Sequence, residues 1–138
     1  MIPKKIHYCW FGGNKKSKLI LECIKSWKRY FPDYEIIEWN EGNFDIHQCD
    51  YVEQAYKQKK WAYVSDYARM KILDLYGGIY FDTDVEVIKR FPEELRVHSF
   101  SGIEEFSKLV APGLVYGCEA GDVIVHEMVN EYEHSEFD

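Results

Sequence analysis

The sequence predicts an α/β fold with a Rossmann-like beginning, and three observations carry that expectation. Two short apolar runs, Lys5 to Trp10 and the isoleucine-rich Glu35 to Trp39, flank a stretch with helical spacing. A long helical pattern from Trp61 stops at Gly77-Gly78 and passes straight into a third apolar run, Ile79 to Phe81. That run ends in Asp82-Thr83-Asp84, two carboxylates at the end of a hydrophobic strand. In open α/β sheets ligands bind outside the carboxyl ends of the strands.

The elements follow in order. Lys5 to Trp10 reads as a strand and Gly12, Gly13 and Asn14 as a tight turn, too short for a phosphate-cradling loop. Ser17 is placed to cap a helix whose apolar positions Ile20, Ile24, Trp27 and Phe31 recur at helical spacing. Pro32-Asp33 breaks it, Glu35 to Trp39 forms the second strand, and Asn40 to Asp45 a loop. A shorter helix, Tyr51 to Lys59, leads into the helix from Trp61. Past Asp84, Val85, Val87 and Phe91 alternate as a brief strand, and Phe91 to Leu95 reads as a turn with one helical turn. Ser99 to Ile103 and Leu114 to Cys118 read as strands around an Ala111-Pro112-Gly113 loop. Gly121-Asp122 precedes a helix with Val125, Met128, Val129 and Tyr132 on one face, and the acidic tail Glu131 to Asp138 reads as a solvated end.

The helix from Trp61 is apolar nearly all round. Trp61, Val64, Ala68, Ile72 and Leu75 mark one face, while Tyr63, Tyr67, Met70 and Leu73 cover most of the rest, the pattern of a buried helix. Asp66 and Arg69, three residues apart, project together from it. Burying an unpaired ion costs on the order of several kcal/mol, so the two either form an i, i+3 ion pair or line a polar pocket. Gly77 and Gly78 suit a left-handed helix stop. In an extended chain Asp82 and Asp84 would point to one side, where a hard cation such as Mg²⁺ or Mn²⁺ relieves their repulsion and takes oxygen ligands. The plainer reading is a solvated acidic turn.

Ser65-Asp66-x-x-Arg69, Tyr76-Gly77-Gly78-Ile79-Tyr80 and Asp82-x-Asp84 together resemble the signature of the DXD-containing sugar transferases of glycosyltransferase family 32. They are similar also to the glucosyltransferase domain of the large clostridial toxins. The N-terminal block from Ile2 to Gly13 resembles the opening strand and loop of the same group. The resemblance implies a GT-A fold that binds a nucleoside diphosphate sugar and a divalent metal, with residues 1–138 as a single nucleotide-sugar-binding domain. It implies that Trp10 stacks on the nucleobase and that Asp66 and Arg69 contact the transferred sugar and its phosphate. Asp82 would touch ribose or sugar hydroxyls and help hold Mn²⁺ or Mg²⁺, and Asp84 would be the direct metal ligand. Ser65 and Tyr80 are further donor-site candidates. The implied reaction moves a sugar from a UDP- or GDP-sugar to a glycan or other hydroxyl acceptor with retention, in capsular or cell-surface polysaccharide synthesis. No residue identifies a nucleophile or base. A family domain is expected to continue past the point where this chain stops, which makes the GT-A unit read as truncated at its C-terminus.

Composition bounds these expectations. With 138 residues, 46% hydrophobic and 17% aromatic, the chain can bury a sizeable core. A net charge of -7 argues against nucleic acid or an anionic membrane as partner, yet admits an anionic substrate carried on a cation. Cys9, Cys23, Cys49 and Cys118 lack zinc-like spacing and read as free thiols, and His7 reads as packed in the first strand. There is no secretory apolar stretch and no run of membrane-spanning length, so a cytoplasmic location is expected. Two other readings stand beside the transferase. One is a nucleotide-sugar-binding fragment without turnover. The other is a phosphohydrolase of the haloacid dehalogenase type, which expects D-x-D on its first strand and a further acidic pair, whereas here two strands come earlier and no Asp-Asp pair occurs.

Overall fold

The computed structural model describes residues 1–97, 99–101 and 115–137. In chain order the elements are β1 (Lys5–Cys9), α1 (Lys18–Tyr30), β2 (Glu35–Trp39), α2 (Asp50–Lys57), α3 (Trp61–Tyr76) and β3 (Gly78–Phe81). A 3₁₀ turn (Glu93–Val97), β4 (Phe100–Ser101), β5 (Val115–Cys118) and α4 (Val123–Glu133) follow. The strands make one sheet in the order β2-β1-β3-β5-β4. β1 runs parallel to both β2 and β3, while β5 is antiparallel to β3 and β4 to β5.

Period-two alternation sends each strand's side chains to two cores. Ile6, Tyr8, Ile79 and Phe81 pack with Ile24, Trp27 and Phe31 of α1 and its end. Cys9, Tyr80, Tyr116 and Cys118 pack on the opposite face with α2, α3 and α4. The chain therefore leaves β1 across one face to reach β2, and returns across the other face to reach β3. Strand order reverses at β1, and this opens a crevice between the carboxyl ends of β1 and β3.

Local chemistry explains the elements. Ser17 Oγ accepts from the Ile20 N–H at 3.3 Å and Asp122 caps α4 through the Val125 N–H at 3.2 Å. Gly78 has φ +115, and a Cβ there would stand 2.7 Å from the Lys5 carbonyl oxygen, so β3 can start against β1 only with glycine. His7 is fully buried at this corner. Its Nδ1 accepts from the Trp39 indole N–H at 3.0 Å, which leaves Nε2 protonated to donate to the Gly77 carbonyl at 2.8 Å. Burial pushes its pKa below the ordinary histidine value.

Several expectations change. Residues 85–91 form no strand, although Val87 is buried and Val85 and Phe91 pack beside it. α1 supplies the missing partners: the Trp27 indole N–H donates to the Val85 carbonyl at 2.7 Å and the Val87 N–H donates to Ser26 Oγ at 2.8 Å. The acidic tail is not simply solvated, since Glu131 to Glu133 complete α4. Glu133 accepts from Tyr67 Oη and Lys71, and Phe137 packs on the rings of Tyr51 and Tyr63. Leu75 and Tyr63 of α3 are exposed rather than core. The last turn is held instead through Asp74, whose carbonyl accepts from the Gly121 N–H and whose carboxylate meets His126. β1 stops at Cys9, and α2 spans Asp50 to Lys57. Gly102, Ile103, the Ala111-Pro112-Gly113 loop, Leu114 and Asp138 lie outside the described residues.

Candidate active site

The crevice is built by three pieces of backbone. Trp10 follows β1, its N–H still donating to the Trp39 carbonyl at 2.8 Å. Its indole N–H donates to the Asn14 carbonyl at 2.7 Å, and the Lys16 ammonium sits 5.6 Å from the ring centroid. Beyond it, Gly12 has φ +93, and a Cβ there would stand 2.6 Å from the Trp61 ring, so the position is open to glycine alone. The Gly12 N–H donates to Glu41 at 2.7 Å, and Glu41 also accepts from Tyr56 at 2.8 Å, which anchors the loop to α2.

α3 supplies the second piece. Arg69 is ion-paired with Asp66 one turn earlier, and its Nη1 lies 3.6 Å from Asp82 Oδ1 at the end of β3. The same guanidinium stands 5.7 Å from the Tyr80 ring centroid. Arg69 thus links helix to strand end, and its side chain is the most buried of the three charges at 13% exposure. Both meanings of an i, i+3 pair hold at once, because this ion pair is also the wall of a pocket.

The third piece is the Asp82-Thr83-Asp84 segment. It is a turn, closed by the Val85 N–H on the Asp82 carbonyl at 3.0 Å, and not extended chain. The same-side rule for i and i+2 therefore does not apply. Thr83, rather than Asp84, joins Asp82 in the lining, and Asp84 is exposed. The Asp82 carboxyl is pushed up to about 6, first by burial, with the Asp84 charge adding to it and Arg69 and the Tyr80 hydroxyl opposing.

A hollow of about 320 Å³ opens between these pieces. It brings together Trp10, Ser65, Asp66, Arg69, Tyr80 and Asp82, six of the seven residues singled out in the sequence, and leaves out Asp84. Tyr80 is almost fully buried and reaches the hollow as the hydrogen-bonding support of Asp82. Residues not singled out as ligands complete the wall: Cys9, Phe11, Asn14, Trp61, Ala62 and Thr83. Trp61 carried a signal, an aromatic at the first turn of a helix, but read as core. Burial pushes the Cys9 thiol up to about 12, so it is a wall and not a nucleophile.

The model of the glycosyltransferase sugar-binding region containing the DXD motif matches residues 17–101. The chain belongs to this family. Subversion of eukaryotic traffic protein A of Legionella pneumophila is 26% identical over 97% of this chain and 25% of its own length. An uncharacterized glycosyltransferase of Acanthamoeba polyphaga mimivirus is 32% identical over 72% of this chain and 42% of its own. Among solved structures, PaToxG glycosyltransferase superposes with a TM-score of 0.70 at 22% identity, covering 94% of this chain and 58% of that one. The α/β architecture is thus that of a glycosyltransferase, the GT-A type expected from the sequence. The chain spans less than half the length of these curated relatives.

In this DXD-family chain the acidic turn offers oxygen donors only. Among the described residues no three His, Cys, Asp or Glu side chains converge as a metal cage. Two coupled carboxylates on one turn suit a hard cation that completes its shell with water and substrate phosphate. No helix among the described residues is long and apolar enough to cross a membrane.

Proposed function

We propose that residues 1–138 act as one donor-binding unit of a metal-dependent glycosyltransferase. It would take a UDP- or GDP-sugar, transfer the sugar to a glycan or other hydroxyl acceptor, and release the nucleoside diphosphate and a proton. The observation that carries the reading is one hollow at the ends of β1 and β3, in a DXD-family chain, that holds Trp10, Ser65, Asp66, Arg69, Tyr80 and Asp82 together.

In this reading Trp10 presents its indole to the base, held by its own hydrogen bond to Asn14. Arg69 lies against the diphosphate and the sugar, where a fixed guanidinium stabilises the charge that develops on the leaving group. Asp66 holds Arg69 in place and accepts from sugar hydroxyls. Asp82 accepts from ribose or sugar hydroxyls and shares a cation with Asp84. Mn²⁺ or Mg²⁺ bound there supplies neutralisation of the phosphate oxygens. Retention at the anomeric carbon, glycan assembly at the cell surface and a cytoplasmic site of action belong to the same reading.

The test is a thermal-shift screen of UDP- and GDP-sugars with and without Mn²⁺, since a ligand that binds only the folded state raises its midpoint. A midpoint that rises only with metal and nucleotide sugar together is expected, and no shift with any donor would end the proposal. Donor binding without hydrolysis or transfer would instead reduce the chain to a nucleotide-sugar-binding fragment.

A further inference from the structure

A second hollow, about 380 Å³, lies between α3 and α4 and shares one wall with the first: the Asp66–Arg69 pair lines both. We propose that it is the acceptor subsite, and that it takes the hydroxyl face of a neutral sugar. This deepens the proposed transferase reading and rests on it. The shared wall puts a group in the α3–α4 hollow next to a donor in the first hollow, with Asp66 and Arg69 lining both.

The lining argues for a carbohydrate. Asp66 and Glu131 offer carboxylate oxygens, acceptors for the O–H donors of a sugar. Tyr132, Met70 and Met128 offer apolar surface for the C–H face of the ring. Tyr132 is already held, its ring 4.9 Å from Tyr51 and 6.0 Å from Tyr67, so no order has to be imposed on binding. Both hollows fall within the roughly 300–1,000 Å³ of small-molecule sites. Two carboxylates against one arginine, itself committed to Asp66 and Asp82, disfavour an anionic acceptor.

The three methionines make the test direct. Met70 and Met128 line this hollow and Met1 does not. In the whole chain labelled with ¹³C at the methionine methyls, neutral methyl glycosides (gluco, galacto, manno and N-acetylglucosamine) should shift Met70 and Met128 saturably and leave Met1 in place. Half-saturation is expected at about 1–10 mM for so small a ligand. A methyl glucuronide should bind at least about tenfold more weakly, and Glu131→Gln, an exposed change that keeps the fold, should weaken the neutral glycosides about fivefold.

No shift with any glycoside, or a Met128 shift that follows UDP and Mn²⁺ or a lysine-rich peptide but no sugar, overturns the acceptor assignment. The thermal-shift screen on unaltered protein separates the two ideas. Donor binding with silent methyls sinks this subsite alone. Methyl shifts without donor binding leave a sugar site and sink the transferase reading.

Discussion

At the scale of single residues, Arg69 decides the electrostatics of the crevice because it is the buried cation that both Asp66 and Asp82 face. Arg69→Ala would leave two partly buried carboxylates uncompensated. Titration calorimetry is expected to give a UDP-sugar affinity about tenfold or more weaker, with Mn²⁺ binding retained. Asp84→Ala is expected to abolish the Mn²⁺-dependent part of donor binding, because its charge couples to Asp82 across the turn. Equal donor affinity in wild type and both variants would remove the site assignment. His7 makes a prediction about pH. Its pKa is held low by burial, so below the ordinary value of about 6.5 the unfolded chain takes up a proton that the folded chain refuses. Its contribution is complete above pH 6.5 and is lost as pH falls toward the folded pKa. Urea midpoints of wild type should therefore fall from pH 7 to 5.5 more steeply than those of His7→Gln. Asp82, whose raised pKa tilts stability the other way, is common to both proteins and cancels in the difference. Parallel pH profiles would show that His7 is not held neutral.

At the scale of elements, the corner between α3 and β3 is the joint on which the site depends. Gly78→Ala would force a positive φ on alanine and drive its Cβ to 2.7 Å from backbone oxygen, so a loss of about 3 kcal/mol or more is expected from chemical denaturation. A loss under about 1 kcal/mol would mean that β1 and β3 are not so closely joined there. The corner was legible in sequence because a double glycine after a periodic helix has few other uses. The acidic turn was less so. Asp82-Thr83-Asp84 follows an apolar run and in sequence looks like its extension, because nothing in three residues reveals that the chain bends back on itself. The bend is closed by the Val85 N–H on the Asp82 carbonyl, and the chain beyond it is held by Trp27 and Ser26 of α1.

At the scale of the whole molecule, those bonds connect the rear core to the crevice. Trp27 is fully buried between Tyr8 and Phe81 and donates to Val85, one residue beyond Asp84. Trp27→Phe keeps most of the ring packing and removes the donor. It is expected to cost about 2 kcal/mol and to weaken Mn²⁺ binding severalfold although it touches no ligand. Unchanged metal affinity in a folded variant would show that the acidic turn holds itself. Periodicity, glycine stops and paired charges, written within short windows, made the α/β class, the helix and strand order up to Phe81 and the charges of Asp66, Arg69 and Asp82 legible, while Trp10, Ser65 and Tyr80 entered as site candidates through the family resemblance. Long-range packing set the two-faced sheet with its antiparallel edge, the exclusion of Asp84 from the lining, the seating of Trp61 against Gly12 and the α4 face beside Arg69. Those are contacts between segments far apart in the chain, and they depend on which core each element buries its apolar side against.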